Sequence, residues 1–560
     1  MSNLNGGDAQ NWDAIAPHYH ALQEASLTPQ TVAAWLQEWS DLTRVVGETG
    51  AKLSRAKSED TTSDEAQKAY LHFITQTVPK LTVADQSLKA KLLSVEGWEP
   101  PADLTQMLKR LRADADLFRE ANVPLQAEIA ATANRYDTIT GAMSVMLNGE
   151  ELTLQQAAQK LQEPERSTRE ETWRAMLAQY GAERENFNAL FLKLLAKRRQ
   201  LARNAGLTDY REYAWRALKR FDYTPQDSLA FGEAIEKEIV PLYTERLETR
   251  RKKMGLDTLR PWDLDTDPAQ RPALIPFSDP AELESGVARI FDQVDPELGA
   301  EFAKLRNGFL DLGSRRGKAP GGHCSFFPKT GLPYIFMNAV GTAADVRTML
   351  HEAGHAFHGL SSNAHQTLIW NLGAPMEFNE VASMAMELLS SPYLEREKGG
   401  FFTAEEASRA RTEHLDGMIA FLPYMAVVDG WQHWVYSEAP EDVTAQQLDA
   451  KWKELWKRFM PVVSWEGLED ACVTGWHRKL HIFKVPFYYV EYGLAQLGAL
   501  QVWRNALANQ AEAVQAYRSA LALGNTRPLP ELFSAAGARL AFDAPTLHEL
   551  AGLIKAHLAD

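Results

Sequence analysis

The segment that decides the fold runs from Asp345 to His358 and reads DVRTMLHEAGHAFH. His351 and His355 lie four residues apart in it, so on a helix they are separated by about 40° around the axis and share one face. Two neutral imidazoles at this separation can share one tetrahedral ion such as zinc. Glu352 lies about 100° from His351, so it need not be a ligand and can instead hold a water molecule. The segment therefore predicts a helix that carries part of a metal site.

The alternative for this segment is a surface helix with two solvated histidines. The apolar residues directly before the motif, and Ala356 and Phe357 after it, favour a buried helix instead. Unpaired histidines would be costly in such an environment. We therefore interpret the helix as metal binding.

A catalytic zinc site also needs a third protein ligand. The pattern HExxHxxGxxH is absent, because positions 358 and 361 are His and Ser, and an inverted HxxEH is absent as well. A downstream glutamate remains, and the helical stretch MEFNEVAS at 376–383 offers Glu377 and Glu380. Two histidines and one glutamate would leave the fourth position open for water, which is the catalytic arrangement.

Most of the remaining chain predicts helices, with two exceptions that predict strands. At 143–154, MSVMLNGEELTL, apolar residues alternate on both sides of Asn148-Gly149. This dipeptide suits the two positive-φ positions of a type I′ turn and predicts a small β-hairpin. The second strand is GLPYIFMN at 331–338, directly before the motif helix.

The basic run KRRQ at 197–200 is interpreted as a solvated helix face near a helix C-terminus.

The domain organisation is predicted from a change in composition at 255–280, where five prolines occur and periodicity is lost. We interpret this stretch as a connector. Residues 1–260 would then form an N-terminal helical lobe with the hairpin near 143–154, and residues 261–560 a catalytic helical region.

Composition limits the possible functions. The chain has 560 residues, too many for one compact core, and its net charge of -15 argues against a nucleic-acid partner. The two cysteines, Cys324 and Cys472, are interpreted as buried, inert thiols. No signal peptide is recognised, and no apolar run long enough for a membrane helix is present. We therefore expect a cytoplasmic protein without a membrane partner.

The motif segment at 345–358 and the downstream stretch at 376–383 resemble those of the thimet oligopeptidase/oligoendopeptidase F family of zinc metallopeptidases. The resemblance is strongest to the bacterial oligoendopeptidase F and Pz-peptidase branch of this family. The resemblance covers roughly residues 120 to 550, including Trp262-Asp263-Leu264. It implies one zinc ion per chain and makes Glu380, 29 residues after His351, the third ligand in preference to Glu377. Glu387 would orient a ligand histidine, or else lies on the helix surface.

The glycine-rich segment at 316–322 and the strand at 331–338 resemble the segment and edge strand beside the cleft of this family. An edge strand offers unpaired backbone groups to an extended peptide. Arg316 and Lys318 either attract a peptide carboxylate or are solvated or hold the loop.

The segment HIFKVPFYYVEYG at 481–493 resembles the late histidine and tyrosine cluster of the family. The resemblance implies that His481 and Tyr489 donate hydrogen bonds to the scissile carbonyl oxygen and that Tyr492 contacts this oxygen or the substrate backbone. The spacing from the histidine to the tyrosines is one residue shorter than in the thimet branch. Tyrosines at helical spacing also pack in protein cores, and we assign that role to Tyr488.

Three further histidines are assigned supporting roles. His477 forms a second HxxxH pair with His481 but lacks the glutamate, so it is interpreted as structural. His323 and His358 are interpreted as supports or surface residues.

The resemblance implies a mostly α fold in which two helical lobes surround a deep substrate channel, with a small β-sheet beside the zinc helix. It implies a zinc-dependent endopeptidase that hydrolyses internal bonds of short oligopeptides, with Glu352 as general base and acid. One alternative is an exopeptidase, either a carboxypeptidase or a dipeptidyl carboxypeptidase, on a similar scaffold. The other is a catalytically inactive peptide-binding protein.

Overall fold

The computed structural model describes residues 8–315, 317–319 and 321–558. These residues are mostly helical, which confirms the predicted fold class. The α-helices are α1 Trp12–Glu24, α2 Val32–Glu59, α3 Asp64–His72, α4 Val78–Leu93, α5 Thr105–Leu117, α6 Asn122–Gly141, α7 Leu154–Lys160, α8 Arg166–Ala182, α9 Arg184–Asn204, α10 Tyr210–Ala217, α11 Pro225–Glu238, α12 Val240–Lys253, α13 Pro280–Val294, α14 Pro296–Leu305, α15 Ala343–His365, α16 Met376–Ser390, α17 Ala404–Ser437, α18 Ala445–Phe459, α19 Glu469–Val473, α20 Leu480–Lys484, α21 Tyr489–Ala508, α22 Gln510–Ala522, α23 Leu529–Ala535 and α24 Ala544–His557. The strands are β1 Ser144–Leu147, β2 Glu150–Thr153, β3 Leu310–Gly313, β4 His323–Phe327 and β5 Leu332–Ala339. No helix in the described ranges combines the length and the apolar character needed to cross a membrane.

The chain forms two compact units, and each is assembled from three separate segments. The first unit comprises Met1–Phe118, Ile275–Arg411 and Leu494–Leu540. The second comprises Arg119–Leu274, Thr412–Gly493 and Ala541–Asp560. The expected division between residues 260 and 261 stays a prediction. A loss of periodicity shows where regular structure stops, but it does not show which distant segments pack together.

A three-stranded sheet lies beside α15 in the first unit, in the order β3-β5-β4. The strand predicted at 331–338 is confirmed as β5, but it is the central strand, parallel to β3 and antiparallel to β4. The expectation of an edge strand there is therefore wrong. The run from Tyr334 to Met337 is buried. A central strand that is covered on both faces has a continuous apolar sequence of this kind, because neither face is exposed to water. Among the described strands, β3 and β4 are the two edge strands, one on each side of β5.

The second unit contains the predicted hairpin. Strands β1 and β2 pair antiparallel, with Val145 opposite Leu152. Asn148 and Gly149 have φ angles of 52° and 82°, as the type I′ turn requires. The hairpin prediction is confirmed.

The basic run at 197–200 differs from its prediction. Arg198 is 1% exposed and donates to the Tyr436 hydroxyl at 2.7 Å and to the Ile482 carbonyl at 3.1 Å. Arg199 is also buried and donates to the Ala439 carbonyl at 2.9 Å. The prediction of a solvated face is wrong for both arginines, because acceptors from other segments compensate the burial of their charges.

The two cysteines are half-buried rather than buried, and both are free thiols. Burial raises the pKa of Cys324 well above its ordinary value and that of Cys472 to about 11. Both thiols are therefore protonated at neutral pH, in agreement with the interpretation that they are inert.

Candidate metal centre

Helix α15 begins with a capping box that orients the motif. Thr342 Oγ1 accepts the backbone N–H of Asp345 at 3.2 Å. The Asp345 carboxylate accepts the N–H groups of Val340, Gly341 and Thr342 at 2.9, 3.0 and 2.8 Å. These bonds satisfy donors that a helix N-terminus otherwise leaves unpaired. The spacing T-x-x-D just before the motif is the sequence signal that could have located this helix start.

Gly354, between the two motif histidines, allows α16 to pass very close to α15. A Cβ atom at this position would lie 2.6 Å from the Ala382 carbonyl oxygen and 2.6 Å from Ser383 Cα. The Tyr517 hydroxyl on α22 donates to the same Ala382 carbonyl at 2.8 Å. This close approach places Glu380, which lies on α16, beside the histidines.

His351, His355 and Glu380 form a cluster with metal-binding geometry. Glu380 Oε2 lies 3.4 Å from His351 Nε2 and 3.6 Å from His355 Nε2. One ligand atom from each residue falls within 4.8 Å of the others. A tetrahedral zinc ion with ligands about 2.0–2.1 Å away requires ligand atoms roughly 3.4 Å apart. The donor set and its spacing fit a zinc ion, and Glu377 does not belong to this cluster.

Glu387 contacts the far side of the first histidine. Its Oε1 lies 2.7 Å from His351 Nδ1, so an Nδ1–H donor would leave the Nε2 lone pair facing Glu380. The Glu387 side chain is only 10% exposed, so the alternative of a surface glutamate is wrong. Ser383 Oγ donates to Glu380 Oε2 at 3.1 Å. Both carboxylates of the site are thus held by specific contacts.

The electrostatics of the cluster favour a cation. Burial alone would lower the pKa of His351, but its contacts with Glu380 and Glu387 raise that pKa to about 10. Burial lowers the pKa of His355 to about 4, which leaves this imidazole neutral and able to bind a metal. Two carboxylates near one neutral imidazole give the site negative charge for a metal to balance.

Glu352 lies beside the cluster without belonging to it. It is buried, and burial raises the pKa of its carboxyl to about 7, with Glu380 and Glu387 acting in the same direction and His351 against it. The backbone N–H of Cys324 on β4 donates to this carboxylate. A carboxyl group whose pKa lies near neutrality can both accept and donate a proton.

The late histidine and tyrosines form an aromatic cluster within the second unit. The His481 ring centroid lies 5.0 Å from that of Tyr489 and 5.9 Å from that of Tyr492. Tyr489, the first residue of α21, is 5% exposed. Tyr488 is half-buried, and its ring lies 5.1 Å from the Tyr492 ring. Lys479, to which no sequence motif pointed, donates from its Nζ to the Tyr489 hydroxyl at 2.7 Å.

The three histidines assigned to supporting roles, His323, His358 and His477, lie outside the metal cluster. His477 is buried, and its Nε2 lies 2.9 Å from Asn188 Oδ1. His358 is buried, and burial lowers its pKa to about 3. His323 is exposed and stacks on Phe336 with ring centroids 4.9 Å apart. These environments agree with supporting roles.

The glycine-rich segment is partly described. Lys318 Nζ donates to the Asp311 carboxylate at 2.8 Å and to the Met337 carbonyl at 2.6 Å. Its side chain is 0% exposed. Lys318 therefore holds the loop and does not offer its charge to a peptide carboxylate. Arg316, the other residue of this prediction, lies outside the described residues.

These features define a class of protein. Two histidines one helical turn apart, a glutamate from the next helix and a buried carboxyl group beside them match the donor set expected for a metal centre of the metallopeptidase type. The sequence model of Peptidase family M3 matches residues 160–552. The chain belongs to this family, which confirms the resemblance inferred from its motifs.

Curated relatives are similar over part of their length. An oligoendopeptidase F homolog of Borreliella burgdorferi is 24% identical over 320 residues, which is 55% of this chain and 52% of the relative. Oligopeptidase PepF of Bacillus subtilis is 23% identical over 335 residues, which is 56% of this chain and 46% of the relative. The chain thus spans about half the length of these two relatives.

Solved structures share the fold over almost the whole chain. A structure of Pz peptidase A with an inhibitor has a TM-score of 0.90 at 24% identity and covers 100% of this chain and 98% of its own. A putative oligoendopeptidase F from Bacillus anthracis has a TM-score of 0.87 at 23% identity and covers 98% of this chain and 96% of its own. At these identities the likeness shows a common fold.

Proposed function

We propose that this chain is a zinc-dependent endopeptidase that hydrolyses internal peptide bonds of short oligopeptides. The observation that carries the proposal is the convergence of His351, His355 and Glu380, whose ligand atoms lie within 4.8 Å of one another, with the buried carboxyl group of Glu352 alongside. Membership of Peptidase family M3 supports it, and two curated relatives are named an oligoendopeptidase and an oligopeptidase.

His351, His355 and Glu380 would hold one zinc ion per chain. Three protein ligands leave a fourth position for water or substrate, as catalytic rather than structural zinc sites do. A zinc ion bound there would lower the pKa of a coordinated water to about 7 and polarise the peptide carbonyl. Glu387 would keep the His351 ring oriented through its contact at Nδ1.

Glu352 would act as general base and then as general acid. Its carboxylate takes a proton from the attacking water and delivers that proton to the leaving amine nitrogen. The Cys324 N–H keeps the carboxylate oriented without removing its charge. Burial of this carboxyl raises its pKa, which favours its second role as a proton donor.

His481, Tyr489 and Tyr492 would stabilise the negative charge that develops on the scissile carbonyl oxygen. Imidazole N–H and phenol O–H groups are suitable donors for this purpose. The compact grouping of the three rings supports a common role.

The variant Glu352→Gln tests the proposed chemistry. The amide keeps the shape of the side chain and removes the base. The zinc content should therefore be unchanged, while kcat should fall by about 10²–10⁴-fold. Zinc is measured by metal analysis and turnover with a quenched fluorescent peptide. Glu377→Gln, a buried glutamate outside the metal cluster, is the matched control and should retain most activity. A loss below about tenfold in Glu352→Gln would exclude this role for Glu352.

The choice between endopeptidase and exopeptidase needs a different substrate. A peptide blocked by N-acetylation and C-terminal amidation should still be cleaved internally, because an endopeptidase does not require a charged chain terminus in its substrate. Mass spectrometry identifies the products. If blocking abolishes hydrolysis while the free peptide is shortened from one end, the chain is an exopeptidase.

Casein should be cleaved far more slowly than a short peptide, and equal rates would contradict selectivity for oligopeptides.

A further inference from the structure

Lys479 is a cation without a carboxylate partner among the described residues. It lies between the short helix Gly475–Arg478 and α20. Its Nζ donates to the Tyr489 hydroxyl oxygen at 2.7 Å. The same nitrogen lies 3.8 Å from the centroid of the Tyr489 ring and 5.4 Å from that of the Tyr424 ring. Its surroundings are aromatic, so its one directed polar contact is with the hydroxyl proposed to act in catalysis.

This contact determines the direction of the Tyr489 hydroxyl proton. In its charged form the Lys479 ammonium group can only donate, so in that form Tyr489 Oη is the acceptor and its own proton points elsewhere. Within the described ranges no protein acceptor takes this proton. A phenol that accepts a hydrogen bond from a cation is polarised and becomes a stronger donor itself. The arrangement therefore leaves a buried, polarised O–H group available to a ligand.

Burial lowers the pKa of Lys479 to about 7. The titratable groups in contact with Lys479 are Tyr424 and Tyr489, and His481 contacts Tyr489 in turn. At neutral pH a substantial fraction of Lys479 is thus charged and able to polarise the phenol. This environment is costly for a residue with no function, because a buried cation without a carboxylate is destabilising.

We propose that Lys479 is a positioning residue for peptide hydrolysis: by donating to Tyr489 Oη, it directs the Tyr489 hydroxyl proton towards the substrate carbonyl oxygen. The inference rests on the function proposed above. It assigns no proton transfer to Lys479, which acts only through the tyrosine. The alternative is that Lys479 merely fills space between the Tyr424 and Tyr489 rings.

Steady-state kinetics of Lys479→Met separates the two alternatives, because methionine fills similar space without a donor. We expect kcat to fall by about ten- to a hundredfold with little change in KM, as for an interaction used in the transition state. Lys479→Arg restores a donor and should recover part of the loss. Lys484→Met is the matched control, because Lys484 on α20 pairs with Asp137 instead. It should leave kcat unchanged.

A double-mutant cycle tests whether Lys479 acts through Tyr489. In a Tyr489→Phe background, Lys479→Met should change kcat by less than about twofold, because the acceptor is already absent. If Lys479→Met lowers kcat equally in both backgrounds, its effect is independent of the hydroxyl and the inference is overturned.

A spectroscopic measurement keeps this test separate from the proposed function. With 3-fluorotyrosine incorporated at position 489, the ¹⁹F resonance should shift in Lys479→Met and stay in place in Lys484→Met. An unchanged resonance in Lys479→Met overturns the inference whatever the activity. A shifted resonance in a protein that hydrolyses no peptide would instead show that the proposed function has failed, and with it the catalytic use of this contact.

Discussion

Replacing Glu387 with glutamine should weaken zinc binding without removing a zinc ligand. The carboxylate lies 2.7 Å from His351 Nδ1, a short, charge-assisted hydrogen bond in a largely buried site. The amide keeps the size of the side chain but loses the charge, and its NH₂ group can rotate towards the ring. The His351 imidazole would then be less basic and less strictly oriented.

The size of this effect follows from the position of Glu387. Removing a partner that orients a metal ligand typically costs about 10–100-fold in metal affinity, which corresponds to about 1.4–2.7 kcal/mol. Loss of the ligand itself should cost more, so Glu380→Ala is expected to lose zinc under conditions in which Glu387→Gln retains part of it. Glu377 lies on the same helix as Glu387 but outside the cluster. The variant Glu377→Gln should therefore bind zinc with unchanged affinity.

The assay is competition for zinc between the purified protein and a chromophoric chelator at one fixed, neutral pH. Circular dichroism of each zinc-free variant controls for unfolding. If Glu387→Gln binds zinc within about twofold of the unmodified protein while Glu380→Ala does not, Glu387 has no part in orienting His351. If Glu380→Ala keeps full zinc occupancy, the third ligand lies elsewhere.

Two further predictions concern the tyrosines and a buried ion pair. Tyr489→Phe should lower kcat by roughly 10²–10³-fold with little change in KM, as for loss of an oxyanion donor, whereas Tyr488→Phe should matter far less; the reverse order in a quenched-peptide assay would show that the two assignments are exchanged. Asp263→Asn should reduce the free energy of unfolding by about 3–5 kcal/mol at neutral pH, because the fully buried Asp263 carboxylate pairs with Arg166 at 2.8 Å and Arg169 at 3.3 Å. Burial alone would raise the pKa of Asp263, but these arginines lower it overall, so the stabilisation is present above the unfolded pKa of about 3.9 and is lost as the pH falls through the folded value. Urea unfolding should therefore show a difference between Asp263→Asn and the unmodified protein that shrinks in acid, and a difference independent of pH would contradict the ion pair.

Parts of the site could be predicted because they depend only on local geometry. Residues four apart on any helix share a face, so His351 and His355 converge whatever surrounds them. The Asn148-Gly149 turn has the same character, since its positive φ angles are a property of two adjacent residues. The assignment of Glu380 came from family resemblance alone, because no local rule relates residues 29 positions apart.

The sequence by itself therefore determined the helical character of the chain, the hairpin and the direction of the two histidines. The tertiary structure decided that β5 is a central strand, that Arg198 is buried and that Lys479 reaches Tyr489. It also showed how Gly354 lets a second helix carry its glutamate to the histidines. The physical reason is the range of the interactions. Turns and helix faces depend on a few consecutive residues, whereas burial, strand order and side-chain pairing depend on packing between segments that are far apart in the chain.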